Sequence, residues 1–446
     1  MGVKKSIYFV GIGGIGMSAL ARYFKFKNWT VSGSDLVGSP MTKSLIKEGI
    51  KVKIGHKKTN VGANLDLVVY NRAIPANNQE LIAAKRQKIS TLPYAEVLGE
   101  LTKKYATIAI TGSHGKSTTT SLAGLMLIKA GFDPTVLIGT NLKELGGKNV
   151  RIGKGPHLLL EADDFGGAFL HYSPTVAIVT NIDKEHLDFY GGFSQLKNAF
   201  LQFLARTKHG GTLILNRDDK NLYFLRNKIK ALAKKNKLEL VWYSLRDPST
   251  KKIKTILKIP GAHNTQNALA AYKLGRVLKI SEKNILAALG SYNGSWRRME
   301  YRGKYKNAPV YDDYAHHPTE IKATLKGFRE KYPHSRLICV FQPHQAKRLA
   351  GLFKEFATAF NDADMAIILP LYKVPGRDEK IFQNRDSKAL VRAIKATKIK
   401  STRKQVMYLE NPKKLKTVLA EQASKTSVII MMGAGNIVNM TDSLLS

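Results

Sequence analysis

Short apolar runs alternate along this chain with longer stretches in which apolar residues recur every three or four positions. The short runs predict buried strands and the periodic stretches predict helices. The first group opens with a strand at Ser6–Val10 and a glycine turn. A helix over 17–27, a strand over 30–34, a strand over 65–70 and mixed pattern to about 101 complete it. The second group opens with a strand over 105–110, a glycine turn and a helix over 121–131. Strands over 157–160, 176–180 and 212–215 follow, then helical stretches over 264–278 and 282–289. A Gly/Ser/Asn-rich break at 290–295 predicts the next boundary. The third group has a short strand ending Val310-Tyr311 and strands over 337–341, 365–368 and 428–432. The last of these runs into Gly433-Ala434-Gly435. Strands alternating with helices predict α/β domains with largely parallel sheets. The expected division is 1–102, 103–292 and 293–446, with no internal repeat and no low-complexity segment.

Composition adds limits. A chain of 446 residues with a hydrophobic fraction of 43% has room for two or three domains, each with its own core. The single cysteine, Cys339, excludes a disulfide framework and fits a reducing compartment. No apolar run is long enough to span a membrane, and the chain starts directly with a strand. A cytoplasmic protein without a membrane partner is expected. The formal net charge of +39 has two readings, nucleic-acid binding or a background property. The basic residues are spread rather than gathered, and clusters such as 228–237 read as solvated helix faces. Aromatics do not interleave with them as a stacking platform requires, so no nucleic-acid partner is expected. The charge still attracts anionic substrates.

Candidate chemistry concentrates at strand ends. Thr111-Gly112-Ser113-His114-Gly115-Lys116-Ser117-Thr118-Thr119-Thr120 lies between a strand and a helix. That arrangement aims backbone N–H groups and the positive end of a helix at phosphate oxygens. Lys116 can reach the outer phosphates and Ser117 can hold a magnesium ion. The spacing of Gly112 and Gly115 is shorter than in a standard P-loop. Gly11-Ile12-Gly13-Gly14-Ile15-Gly16 matches G-x-G-x-x-G, again between strand and helix. It can seat the diphosphate of NAD or of a sugar nucleotide. Two phosphate sites in two domains favour two nucleotides. Asp35 ends the next strand, either to bond a ribose or sugar hydroxyl or as a solvated terminus.

Leu158-Leu159-Leu160-Glu161-Ala162-Asp163-Asp164 places carboxylates at a strand end facing the same crevice as the phosphate loop, where one can ligate magnesium. His186, past another strand, reads either as a second metal group or as a loop residue without a role. The adjacent His316 and His317 lack chelating spacing and would point to opposite sides of a strand, so zinc is not expected.

Together these segments resemble the Mur ligase family, ATP-dependent amide-forming enzymes of peptidoglycan synthesis, in order and over nearly the whole chain. The resemblance implies a Rossmann-like N-terminal domain for a UDP-sugar, a central P-loop ATPase-like domain and a C-terminal Rossmann-like domain for an amino acid. It implies an ATP site of Gly112, Ser113, His114, Gly115, Lys116, Ser117 and Thr118, with Asn264 and Asn267 from Gly261-Ala262-His263-Asn264-Thr265-Gln266-Asn267. Arg298, in Arg297-Arg298-Met299-Glu300, resembles the arginine that reaches the γ-phosphate, and Asp313 the aspartate that contacts the nucleotide. Magnesium would rest on Ser117, Glu161 and His186. Lys116, Glu161, His186 and Arg298 form the implied catalytic set. Gly11, Gly13, Gly14, Ile15, Gly16, Asp35, Asn149 and Arg151 would take the UDP-sugar, and Tyr314, His316, His344 and Arg348 the amino acid.

Within the family the resemblance points to the branch that joins L-alanine to the lactyl carboxylate of UDP-N-acetylmuramate through an acyl phosphate. Gly11 to Met17, Asn149-Val150-Arg151-Ile152-Gly153, Asp312 to Pro318 and Phe341-Gln342-Pro343-His344 carry it. Phe200 stands where several relatives have a carbamylated lysine, as in that branch. Lys116 and Arg298 fall on different domains, so closure is expected to assemble the site. A monomer or weak homodimer is expected.

The chain departs from the branch at Gln345-Ala346-Lys347-Arg348, where Arg-Tyr-Ser/Thr-Arg is usual. It also departs in a shortened 242–260, at Asn436 in place of aspartate, and at Leu371-Tyr372-Lys373-Val374-Pro375-Gly376. The rival readings are a recycling ligase that adds a preformed peptide to the same sugar nucleotide, an NAD-dependent oxidoreductase, and a basic P-loop nucleic-acid-binding protein.

Overall fold

The computed structural model describes residues 4–372, 382–397 and 405–446. Three sheets organise them. The first holds β1 (Ser6–Val10), β2 (Thr30–Asp35), β3 (Lys51–Ile54), β4 (Leu67–Tyr70) and β5 (Thr91–Pro93), all parallel, in the order β3-β2-β1-β4-β5. The strand order reverses between β1 and β4. In a doubly wound sheet that reversal opens a crevice at the strand C-termini.

The second sheet holds β6 (Ala106–Thr111), β7 (Thr135–Leu142), β8 (Lys148–Arg151), β9 (His157–Glu161), β10 (Val176–Val179), β11 (Thr212–Asn216) and β12 (Glu239–Tyr243). Its order is β12-β11-β10-β6-β9-β7-β8, and only β8 runs antiparallel to its neighbour. β6 lies between β10 and β9, so the loops after all three meet at one end of the sheet. The third sheet holds β13 (Glu300–Tyr305), β14 (Ala308–Asp313), β15 (Arg336–Phe341), β16 (Met365–Ile368), β17 (Gln405–Tyr408) and β18 (Ser427–Met432) in the order β13-β14-β18-β15-β16-β17. Here only β13 is antiparallel.

The interior strands are apolar runs buried on both faces, as parallel strands between helices must be. β10 and β16 are buried throughout. The first two sheets lie in one compact unit, residues up to 256 together with 266–291. The third lies in a second unit, 257–265 with 292–446. In the first unit Phe169 stacks on Phe203 and meets Phe200 edge-on, with ring centroids 5.1 and 5.2 Å apart. Phe200 is fully buried there.

Observed elements differ from the expected ones mainly at their ends. The helix expected over 17–27 is Ile15–Phe26, and that over 264–278 is Ala262–Val277. The strand expected over 65–70 begins at Leu67 because Asp66 turns to accept the Ser6 N–H and hydroxyl. His316 and His317 are not in a strand. His317 caps the helix Pro318–Lys331, and the backbone N–H groups of both donate to Glu320 Oε2. Leu371 and Tyr372 are described, and the rest of the divergent segment they open lies outside the described residues.

Candidate functional site

The loop after β6 is built from its neighbours. Gly112 has φ +137°, and a Cβ there would stand 2.1 Å from Thr180 Oγ1, so only glycine fits. Gly115 has φ +81°, and its missing Cβ leaves room for Asn267 Oδ1, 2.3 Å from where that atom would be. The turn is fastened from the end of β10. His114 N–H donates to Asn181 Oδ1 at 2.8 Å, and Thr180 Oγ1 donates to the His114 carbonyl at 2.6 Å. The His114 ring meets Asp183 Oδ2 at 2.9 Å. The helix Lys116–Lys129 then starts with no side-chain cap and no acidic residue in its first turn. Its first N–H groups and positive end are left for an anion.

Lys116 Nζ donates to the Gly112 carbonyl (2.6 Å), the Ser113 carbonyl (3.3 Å) and Asp164 Oδ1 (2.8 Å). Burial alone would favour the neutral amine. The charges of Asp164 and Asp163 outweigh it and hold the ammonium above its ordinary pKa. Asp164 is fully buried, and its other oxygen, Oδ2, has no hydrogen-bond partner among the described residues. Ser117 Oγ donates to Glu161 Oε1 at 3.1 Å, and Gly139 N–H donates to Glu161 Oε2 at 2.8 Å. The Ser117–Glu161 pair is a set of hard oxygen donors of the kind magnesium prefers. Thr118 is buried just inside the helix. His186 sits at φ +54° with its ring edge-on to Phe165 at 4.9 Å, and its nearest carboxylate is Glu185 at 3.9 Å. No hydrogen bond joins it to Ser117 or Glu161.

The loop after β1 uses the same design with other fittings. Gly11 and Ile12 donate their N–H groups to the Ser34 carbonyl, each at 2.9 Å, and Gly13 N–H donates to Asp35 Oδ2 at 2.7 Å. Asp35 is therefore no free strand end but part of the loop's support. Gly14 precedes the uncapped helix Ile15–Phe26, and Gly16 packs against Tyr94, whose hydroxyl would be 2.8 Å from a Cβ.

Two residues expected to bind the UDP-sugar make hydrogen bonds within the protein. Asn149 is fully buried. It donates to the Ile15 carbonyl and to Ser18 Oγ, and accepts from Arg22 Nη1 at 2.6 Å. Arg22 in turn pairs with Glu48 at 2.8 Å. Arg151 donates to the Pro134 carbonyl at 2.7 Å and pairs with Asp133. Both fasten β8 to its surroundings.

In the second unit the two adjacent arginines divide their work. Arg297 is buried and donates to the Gly433 and Gly435 carbonyls, tying down the last glycine loop. Arg298 stays partly exposed over the Tyr314 ring, 4.9 Å from its centroid and 3.8 Å from Glu320. Asp313 is buried and accepts from Met299 N–H, Ala315 N–H and Thr324 Oγ1 at 2.9, 2.9 and 3.2 Å. It shapes the turn that presents Arg298. Asn264 donates to the Pro260 carbonyl at 2.7 Å. Tyr314, His316, His344 and Tyr372 form a row of rings, with centroid spacings of 5.2, 6.4 and 5.7 Å. Arg348 lies on the short helix Ala346–Gly351 just after it. Asn436 accepts from Gln342 Nε2 at 2.9 Å.

A cation-bearing phosphate loop with a hydroxyl–carboxylate pair beside it, in a parallel α/β sheet, defines a nucleotide-using protein. The chain belongs to the Mur ligase family. The profile of the family's catalytic domain matches residues 6–106, that of its middle domain 110–275, and that of its glutamate ligase domain 297–435. The UDP-N-acetylmuramate–L-alanine ligase of Aquifex aeolicus is 36% identical, with 99% of this chain and 97% of that one covered. Its counterpart from Clostridium kluyveri is 38% identical, with 99% and 98% covered. The crystal structure of UDP-N-acetylmuramate-alanine ligase from Thermotoga maritima superposes with a TM-score of 0.80 at 25% identity, covering 99% of this chain and 98% of that one.

Thr180, Asn181 and Gly139 were not legible as site residues. Their partners are 22 to 69 residues away in sequence, and only the sheet order brings them together.

Proposed function

We propose that this protein is an ATP-dependent ligase that joins L-alanine to the lactyl carboxylate of UDP-N-acetylmuramate in peptidoglycan precursor synthesis. The observation that carries this reading is Lys116 on its loop beside the Ser117–Glu161 pair, in one compact unit with a second glycine loop suited to a diphosphate. Joining a carboxylate to an amine in water is uphill, so the carboxylate is first activated as an acyl phosphate. Such transfer needs alignment and charge neutralisation more than a protein nucleophile.

In this reading residues 1–102 bind the UDP-sugar, 103–292 bind ATP and 293–446 bind the amino acid. The backbone N–H groups of Gly112 to Thr118 cradle phosphates, and Lys116 leaves Asp164 to meet the transferred phosphoryl group. Asn267 serves the base, and Arg298 adds positive charge. Magnesium fits Ser117 and Glu161, with His186 as an outer group, and would supply further neutralisation of phosphate charge. Tyr314, His316, His344 and Arg348 hold the amino acid. The chain acts in the cytoplasm as a monomer or weak homodimer, without a nucleic-acid or membrane partner. Among the described residues no helix is long and apolar enough to cross a membrane.

The test is phosphate release from ATP with magnesium and UDP-N-acetylmuramate, offering L-alanine, L-serine, glycine or L-Ala-γ-D-Glu-diaminopimelate in turn. Release with L-alanine is expected. Release with the tripeptide alone would move the protein to peptide recycling, a reading kept open by Gln345 and Ala346.

A further inference from the structure

Arg72 follows β4 by two residues, at the C-terminal end of the strand that borders the reversal in the first sheet. β1, on the other side of that reversal, carries the glycine loop, and the two strands pair in parallel up to Val10 and Tyr70. Ile74, two residues further on, packs against Gly11 of that loop. Arg72 therefore stands at the crevice in which such sheets take their ligands.

Its side chain leaves the first sheet for the second. Nη1 donates to the Gly166 carbonyl, and the guanidinium lies over the Phe189 ring, 5.3 Å from its centroid. Gly166 follows Asp164, the partner of Lys116, by two residues and has φ +62°. Tyr190, next to Phe189, donates its hydroxyl to the Asp164 carbonyl. One arginine thus bridges the crevice of the glycine loop and the edge of the phosphate-loop site.

A surface arginine of a basic chain with no ligand role is the plain alternative. Arg72 differs in how it is held. A ring and a carbonyl fix the plane of the guanidinium, its residue is exposed, and no carboxylate lies within ion-pair distance among the described residues. Among the described residues only one of its five donors has a hydrogen-bond partner. A planar cation held still, with free donors, beside a crevice suited to a diphosphate is a built acceptor for anionic oxygens.

We propose that Arg72 binds the anionic oxygens of the sugar nucleotide where that ligand passes from the glycine loop toward the phosphate loop. The proposal rests on the UDP-N-acetylmuramate reading. The oxygens belong to the sugar-side phosphate or to the lactyl carboxylate, and the choice of ligand tells these apart.

The experiment is calorimetric titration of the full chain with UDP-N-acetylmuramate, UDP-N-acetylglucosamine and ADP, for the wild type, Arg72→Gln and Arg72→Lys, with unfolding midpoints recorded. Glutamine keeps a donor for Gly166 and loses the charge. Arg72→Gln is expected to weaken UDP-N-acetylmuramate roughly 10- to 100-fold and leave ADP unchanged, with Arg72→Lys in between. A loss on both UDP-sugars assigns the phosphate. A loss confined to the muramate assigns the carboxylate. Should Arg72→Gln fail to fold, Arg72→Lys decides alone, and muramate affinity within about twofold of the wild type overturns the proposal. Wild-type binding of the UDP-sugars with unaffected variants, or an equal loss of ADP, overturns it and leaves the reading standing. A wild type that binds neither UDP-sugar removes the reading and the proposal together.

Discussion

The two glycine loops of the first unit share a backbone plan and differ in everything that surrounds it. Each follows a central parallel strand, turns on a positive-φ glycine and opens an uncapped helix. In the loop after β1, a carboxylate, Asp35, already occupies the Gly13 N–H. In the loop after β6, the N–H of His114 is pinned from β10, and a lysine ammonium stands among the loop's own carbonyls. The plan alone supplies an anion cradle. The neighbours decide its use. A diphosphate that only needs holding suits the first loop. A phosphoryl group in transfer needs the cation that only the second provides.

The largest test of that difference is removal of Lys116. Lys116→Ala alone is a poor probe, because it leaves Asp164 buried without its cation and costs about 3–5 kcal/mol of stability. Lys116→Met combined with Asp164→Asn removes both charges together. Phosphate release in the complete reaction mixture is expected to fall roughly 100- to 1,000-fold, with the unfolding midpoint near that of the parent. A double variant that keeps its rate would sink the assignment of the second loop to phosphoryl transfer.

A smaller effect separates the loops by their glycines. Gly112→Ala forces a Cβ to 2.1 Å from Thr180 Oγ1 at φ +137°, and nothing behind it can retreat cheaply because Asn181 N is 3.0 Å away. Loss of ADP binding and about 2–3 kcal/mol of stability are expected. Gly14→Ala meets its nearest atom at 3.5 Å with φ −63°. Stability within about 1 kcal/mol of the wild type and full UDP-sugar binding are expected there. Equal damage in the two variants, read from unfolding midpoints and ligand titrations, would mean that the second loop is no more tightly built than the first.

Legibility in the sequence followed burial. The apolar pattern predicted interior strands such as β6, β10 and β15, which are shielded on both faces. It missed β3, β5, β8, β12, β13 and β17, the six outer strands of the three sheets, and β7 beside one of them. An edge strand such as Lys51–Ile54 is largely exposed and carries polar residues that guard against pairing with another chain, so it leaves no apolar run to read. The site divided similarly. The strand, glycine turn and helix around Gly112, Lys116 and Ser117 were legible because one short segment carries them. The protein contacts of Asn149 were not legible because its partners Ile15, Ser18 and Arg22 are more than 120 residues away. The turn that Asp313 holds was not legible because a strand-end carboxylate looks the same whether it faces a ligand or holds its own turn.

Asp164 offers the finest test, since its effect is small and its sign is informative. In the structure the Lys116 ammonium has three acceptors, and only Asp164 is charged. Nucleotide phosphates must draw the lysine away from that carboxylate, so the ion pair stabilises the empty state and opposes binding. Asp164→Asn keeps an oxygen for the ammonium at nearly the same place and weakens the bond from charge-assisted to ordinary. It also removes a negative charge that repels phosphate. Both changes act in one direction, and ADP without metal is expected to bind about 3- to 10-fold tighter to the variant by calorimetry. A weaker complex would mean that Asp164 keeps Lys116 when nucleotide is present. Its unpartnered Oδ2 would then serve the loaded site, and the contrast between the two loops would lie in how the lysine is held rather than in how it is released.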